Sequence, residues 1–159
     1  MKNKNLSFMT QAAMIAAIYV VLTYIFAPFS FGEVQVRISE ALTILPIFTP
    51  AAIPGLFAGC LIGNILGGAI LPDIVFGSIA TLIGAFFTWK LREQKPVVAT
   101  FPPIISNIII VPFVLRYGYG VTLPIPFMML TVGIGEVISC TVLGLIVYGA
   151  LKKYKSTLF

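Results

Sequence analysis

Apolar residues run along this chain in long unbroken blocks. There is neither the strict alternation of a half-buried strand nor the one-sided stripe of a water-facing helix, and polar positions gather between the blocks. A helix needs about 20 mostly apolar residues to cross the hydrocarbon of a bilayer. Charge clusters and Pro or Gly punctuation cut the chain into six segments, which predict six transmembrane helices. The first takes about residues 6–26 and stops at Ala27-Pro28. A short second takes about 38–48, ended by Thr49-Pro50 and too short to span unaided. The third opens at Pro54, a favoured first-turn position, and reaches about residue 71. The fourth covers about 73–91, the fifth about 96–115 and the sixth about 124–151. No internal repeat, low-complexity tract or linker interrupts them, so residues 1–159 are expected to form one six-helix membrane domain.

Composition turns this pattern into a statement about solvent. Only 9% of residues are charged and mean hydropathy is +1.07, against roughly 25% charged in a soluble domain. The chain reads as an all-α integral membrane protein in a lipid bilayer. Its net charge of +5 comes from cations that flank the apolar segments: Lys2, Lys4, Lys90, Arg92, Lys95, Lys152, Lys153 and Lys155 fall on one side, Arg37 and Arg116 on the other. The positive-inside rule then places both termini in the cytoplasm and the loops around Gly32, Pro72 and Gly118 outside. The same distribution explains the charge without nucleic acid, and none is expected as a partner. A cleaved signal peptide is the rival reading of residues 1–26; Thr10 and Gln11 interrupt its apolar stretch and no small-x-small cleavage site follows, which favours a retained helix.

Several chemistries drop out. The chain has no histidine, hence no Ser-His-Asp triad, Cys-His pair or HExxH zinc helix. No close carboxylate pair such as DxxD presents itself for a metal, so neither a metal, a cofactor nor an enzymatic activity is expected. Cys60 and Cys140 lie in apolar segments and read as buried thiols. The chain also lacks a GxxxxGK[ST] loop, so ATP must act through partners.

Small residues recur at helical spacing. Ala12, Ala13, Ala16 and Ala17 form two overlapping Ala-xxx-Ala pairs in the first helix, and Gly55, Gly59, Gly63 and Gly67 form a ladder in the third. Such faces let another backbone approach closely. For the glycines, packing inside the bundle is the simpler reading; for the alanines, a partner subunit stands beside it.

Ionisable and amide groups in lipid are expensive and mark function by default. Here they are Glu40 in the second segment, Asn64 in the third, Asn107 in the fifth and Glu136 in the sixth, with Glu33 and Arg37 in the first outer loop. Asp73 and Arg116 fall at span ends, where water is expected to reach them. At 1.5 Å per residue, Asn64 lies roughly 10 Å, Asn107 roughly 12 Å and Glu136 roughly 15–18 Å from the outer ends of their spans. The polar residues therefore predict one cavity open to the outside and roofed by residues 29–37, which suits a binding site better than a continuous pore. Carboxylates accept from N–H groups, and Asn both donates and accepts, a combination able to read an amide or a nucleobase edge. Phe29, Phe31, Tyr117, Tyr119 and Phe127 are candidates to stack on a flat ring. The bland alternative is that each polar residue makes an interhelical hydrogen bond, and that Arg37 and Glu40, three apart, pair with each other.

Around these residues the chain resembles the QueT family, the queuosine-precursor-specific S components of energy-coupling factor (ECF) transporters. The resemblance rests on Val36-Arg37-Ile38-Ser39-Glu40-Ala41-Leu42, on the run from Leu45 to Gly55, on Gly63-Asn64 and on Gly133-Ile134-Gly135-Glu136, with residues 37–64 the most specific part. It implies a six-helix S component of the bacterial cell membrane that captures a 7-deazaguanine (preQ0, preQ1 or queuine) from outside. It further implies docking through the alanine motif on a transmembrane coupling protein served by two cytoplasmic ATPases. Under it, Glu136 takes the N1–H and 2-amino edge of the base, Asn107 and Asn64 sit beside it, and Glu40 or Arg37 closes the lid. Other readings of the same cavity are an S component for another vitamin-like heterocycle, a stand-alone proton-coupled carrier and a purely structural subunit.

Overall fold

A computed structural model describes residues 3–30 and 35–159. The described residues form helices and turns with no strand, the outcome expected when apolar backbone must satisfy its N–H and C=O groups within each segment. Four helices are long and apolar enough to cross a membrane: α1 (Lys4–Ile25), α4 (Asp73–Lys90), α5 (Pro96–Gly118) and α6 (Ile125–Lys152). Two shorter apolar helices, α2 (Ile38–Ile47) and α3 (Ala52–Leu66), lie between α1 and α4.

α3 stops short of the segment expected from the sequence. The Gly67 N–H bonds to the Gly63 carbonyl and Ala69 N–H to that of Asn64, and Gly68 takes φ +77°, a left-handed conformation that ends helices and that glycine adopts without strain. Gly67 thus closes the helix rather than extending the ladder. The other three glycines face α1. A Cβ on Gly55 would stand 2.7 Å from the Ala12 carbonyl oxygen, and one on Gly59 2.7 Å from Tyr19 Cβ. One on Gly63 would lie 3.3 Å from the Thr23 side chain. The ladder therefore serves packing within the fold. Ala12 and Ala16 are partly covered by this contact, whereas Ala13 and Ala17, about 100° further round α1, are exposed.

α2 is wound as a 3-10 helix for its ten residues, with Pro46 inside it, and Ser39 through Pro46 are all buried. Runs of this length are uncommon. At three residues per turn, side chains three apart eclipse, so Leu42 and Leu45 share a line that packs with Ile15, Tyr19, Leu56 and Ala85. Glu40 and Thr43 share another, and Thr43 Oγ1 donates to the Glu40 carbonyl at 2.6 Å. A second apolar cluster joins Val111 and Leu115 of α5 to Met128 and Val132 of α6. Wider π-type turns open α4 at Asp73–Gly77, close α5 at Val114–Gly118 and interrupt α6 at Val137–Leu143, two of them beginning at or directly after an acidic residue. Such turns recur at functional sites.

Candidate functional site

The buried charged side chains among the described residues are Arg37, Glu40, Asp73 and Glu136. All four belong to one polar network that reaches from Arg37 and Asp73, at the end of the bundle where α4 begins, to mid-depth, where Glu40 meets Thr81 of α4 and Glu136 lies near the middle of α6.

Glu40 is the centre of the network. The Tyr19 hydroxyl donates to its Oε1, and Thr81 Oγ1 lies 3.5 Å from the same oxygen. Thr81 also approaches Cys60 Sγ at 3.4 Å, and Asn64 Nδ2 reaches that sulfur at 3.7 Å. Tyr19 is placed by the buried face of α1, where Ile15, Tyr19 and Thr23 recur at spacing four. Thr23 then bonds Ser39 of α2 at 2.9 Å.

Glu136 projects from α6 toward the same point. Cys140, one turn on, donates its thiol to Glu136 Oε2 at 3.2 Å, and the Asn107 side chain adjoins the same carboxylate. Thr43 Oγ1 lies 3.5 Å from Cys140 Sγ, tying α6 to α2. An oxygen of Glu40, an oxygen of Glu136 and Cys140 Sγ all fall within 4.8 Å of one another. Just before Glu136, Gly135 meets the Gln35 backbone so closely that a side chain there would overlap the Gln35 carbonyl.

A third group closes the same end. Arg37 Nη2 pairs with Asp73 Oδ2 at 3.5 Å, and its Nε donates to the Ser30 carbonyl at 3.4 Å. The Tyr119 hydroxyl donates to Asp73 Oδ2 at 2.9 Å. Burial, the Asp73 charge and that hydrogen bond together push the Tyr119 phenol up to about 12, so it remains a donor at any physiological pH. Asn64 Nδ2 donates to the Asp73 carbonyl at 3.2 Å.

Arg37, Glu40, Asn64, Asn107 and Glu136, the five candidates from sequence, are all buried and linked in this network. Two expectations are corrected. Asp73 is only 1% exposed, because its position after Pro72 turns it inward onto Arg37 rather than out to water. Arg37 and Glu40 do not form the ion pair their spacing allows: Arg37 is bridged to Asp73, and Glu40 is held by Tyr19 and Thr81. Arg116 is exposed as expected, its Nη1 donating to the Val121 carbonyl at 3.4 Å. Phe29, Tyr117 and Phe127 are exposed rather than gathered over the cluster, and Tyr117 stacks on Phe113 instead. Phe31 and Glu33 lie outside the described residues, as does Gly32, so the expected roof over 29–37 is described only at its two ends. Tyr19, Thr81, Cys140 and Asp73 were missed as site residues, and Tyr119, expected to stack on a ring, instead donates to Asp73. The available signals were Tyr19 and Thr23 at spacing four in an otherwise apolar helix, and Asp73 as an acidic partner on the same side as Arg37.

Four buried polar atoms have no hydrogen-bond partner among the described residues: Glu40 Oε2, Asn64 Oδ1, Asp73 Oδ1 and Ser139 Oγ. The first three are acceptors, so the site asks for N–H or O–H donors.

An all-helical membrane protein with a buried, acceptor-rich polar cluster has the anatomy of a solute-handling protein. A family model described as QueT transporter matches residues 9–153, and the chain belongs to that family. Membership of a transporter family sets aside an enzymatic reading. Among curated proteins, "Queuosine precursor transporter QueT" of Lactococcus lactis subsp. cremoris (strain MG1363) is 33% identical over 84 residues. That match takes in 52% of this chain and 48% of the relative, so the chain spans about half the length of the curated relative it matches. No solved structure matches.

Proposed function

We propose that this chain is the substrate-binding S component of an ECF-type importer for a queuosine precursor, a 7-deazaguanine captured from outside the cell. On this reading it crosses the cell membrane six times with both termini in the cytoplasm. It docks on a transmembrane coupling protein driven by two cytoplasmic ATPases. The observation that carries the proposal is the acceptor-rich cluster: a guanine-like base presents N1–H and 2-amino donors, which a buried carboxylate receives side by side, and an O6 acceptor suited to an Asn amide. Glu136 with Asn107 takes that edge, and Asn64 stands near it. Arg37, bridged to Asp73 and adjoining the first outer loop, belongs to the lid. The name of the Lactococcus relative and the placement of the buried charges, from one end of the bundle to its middle, support the same reading.

Ala13 and Ala17, with Met9 and Ile18 nearby, leave an exposed apolar strip on α1 for the coupling protein, while Ala12 and Ala16 hold α3. No covalent chemistry is needed. Transport follows if the docked, ATP-driven state binds ligand less tightly than the free one. The test is uptake of labelled preQ1 into proteoliposomes. The proposal predicts uptake only with coupling protein, ATPases and ATP present. Uptake by the purified chain alone, driven by a pH gradient, would replace it with the stand-alone carrier that the close Glu40 and Glu136 carboxylates favour.

A further inference from the structure

Resting on that reading, we infer that the site selects a ligand bearing a protonated amine, and that Glu40 is the carboxylate that receives it. Three buried acids face one buried cation among the described residues, and that cation, Arg37, is bridged to Asp73 at 3.5 Å. Glu40 and Glu136 remain, with carboxylate oxygens no more than 4.8 Å apart. Two carboxylates this close cannot both carry charge in a dry site unless a cation joins them.

The two are not equivalent. Glu136 already accepts from Cys140, with the Asn107 side chain beside it. Glu40 accepts from Tyr19 and Thr81 on Oε1 alone, and its Oε2 is buried with no partner among the described residues. Glu40 therefore has an oxygen to offer that nothing described on the protein answers.

A metal ion answers this geometry poorly. Hard divalent cations take six or more oxygens, and softer ones want imidazole or thiolate. Here there are two carboxylates and no histidine, and the Cys140 thiol retains a proton that it donates to Glu136. An ammonium carries three donors and needs only three acceptors. The division of labour also matches the shape of a 7-aminomethyl-7-deazaguanine, whose ammonium, O6 and N1–H follow one another along a single edge as donor, acceptor and donor. Glu40, an Asn amide and Glu136 offer the complementary order.

The test measures equilibrium binding of preQ1, which carries the aminomethyl group, and preQ0, which carries a neutral nitrile there, to the full chain in detergent. Wild-type protein is expected to prefer preQ1 by about 100-fold, the scale of a desolvated charge pair. Glu40→Gln should remove most of that preference by weakening preQ1 far more than preQ0, with a cooperative thermal unfolding transition showing the variant to be folded. Glu136→Gln should weaken both ligands together. Equal, tight binding of both ligands by wild type would overturn the inference and leave the proposed function standing. A preference that survives in Glu40→Gln would overturn the assignment to Glu40. Loss of preQ1 binding on chelation, restored by a divalent metal, would replace the amine with a metal ion. Binding of neither ligand by folded wild type would remove the parent reading, and this inference with it.

Discussion

Replacing Gly59 by alanine tests the physical link between helix packing and the site. The added Cβ would stand 2.7 Å from Tyr19 Cβ and 3.1 Å from the Ala16 carbonyl oxygen. Non-bonded carbons rest at about 3.5–4.0 Å, so α1 and α3 must part by about 1 Å, and both nearby atoms belong to rigid parts of α1. Overpacking of this kind costs about 1–3 kcal/mol, offset by up to about 1 kcal/mol of helix propensity gained over glycine. Because Tyr19 is the residue displaced, its hydroxyl also withdraws from Glu40, and a hydrogen bond to a charged group contributes about 1.5–3 kcal/mol. Gly149 supplies the control: a Cβ there meets nothing within 4 Å, so Gly149→Ala should be neutral or slightly stabilising. The propensity gain is common to both variants, so reversible unfolding in mixed micelles should separate them by about 2.5–6 kcal/mol, with Gly59→Ala also binding ligand more weakly. Equal stability of the two variants, or a Gly59→Ala protein as stable as wild type, would refute the close α1–α3 contact.

Other consequences are open to simple measurement. Asp73→Ala removes the ion-pair partner of the buried Arg37 and should destabilise the protein by about 3 kcal/mol, with Asp73→Asn milder, as read by the same unfolding assay. The Tyr119 phenol titrates at about 12 in the folded protein against an ordinary value of 10.0. Its raised value means that the folded state holds the proton more tightly. Its contribution is therefore complete below pH 10 and declines between about 10 and 12, and Tyr119→Phe should flatten that part of the stability profile. Cys60 and Cys140 are buried, so a membrane-impermeant maleimide should leave native protein unlabelled. Against that background, Ser156→Cys should react only from the cytoplasmic side and Thr122→Cys only from outside; labelling of both from one side would contradict the proposed topology.

The all-helical class was legible because apolar blocks leave backbone no other way to satisfy itself in lipid. The glycine ladder was legible because spacing of four fixes a face. Where sequence reasoning failed, the cause was a residue's direction rather than its position. Asp73 begins a helix, and a charge at a helix end ordinarily meets water; nothing local says that the chain turns it toward Arg37, 36 residues earlier. Arg37 and Glu40 have the spacing of an ion pair, yet Arg37 stands extended just before the 3-10 helix and Glu40 within it, and each finds a partner on another element. Asn64, Asn107 and Glu136 were found because a lone polar group in an apolar run stands out. Tyr19 and Thr81 were not, because hydroxyls are common in membrane helices and only the fold shows that these two converge on Glu40. The alanine motif divides for the same reason: spacing gives two faces, and the structure shows which one α3 covers.

The central claim, that the buried cluster is a solute site for a queuosine precursor, is tested most directly by equilibrium binding to the purified chain without nucleotide or partner. The panel is preQ1, preQ0, queuine and guanine, with riboflavin as control. Saturable, selective binding of a 7-deazaguanine is expected, weakened in Glu136→Gln and unaffected by Gly149→Ala. No binding of any of these ligands by protein shown to be folded would contradict it.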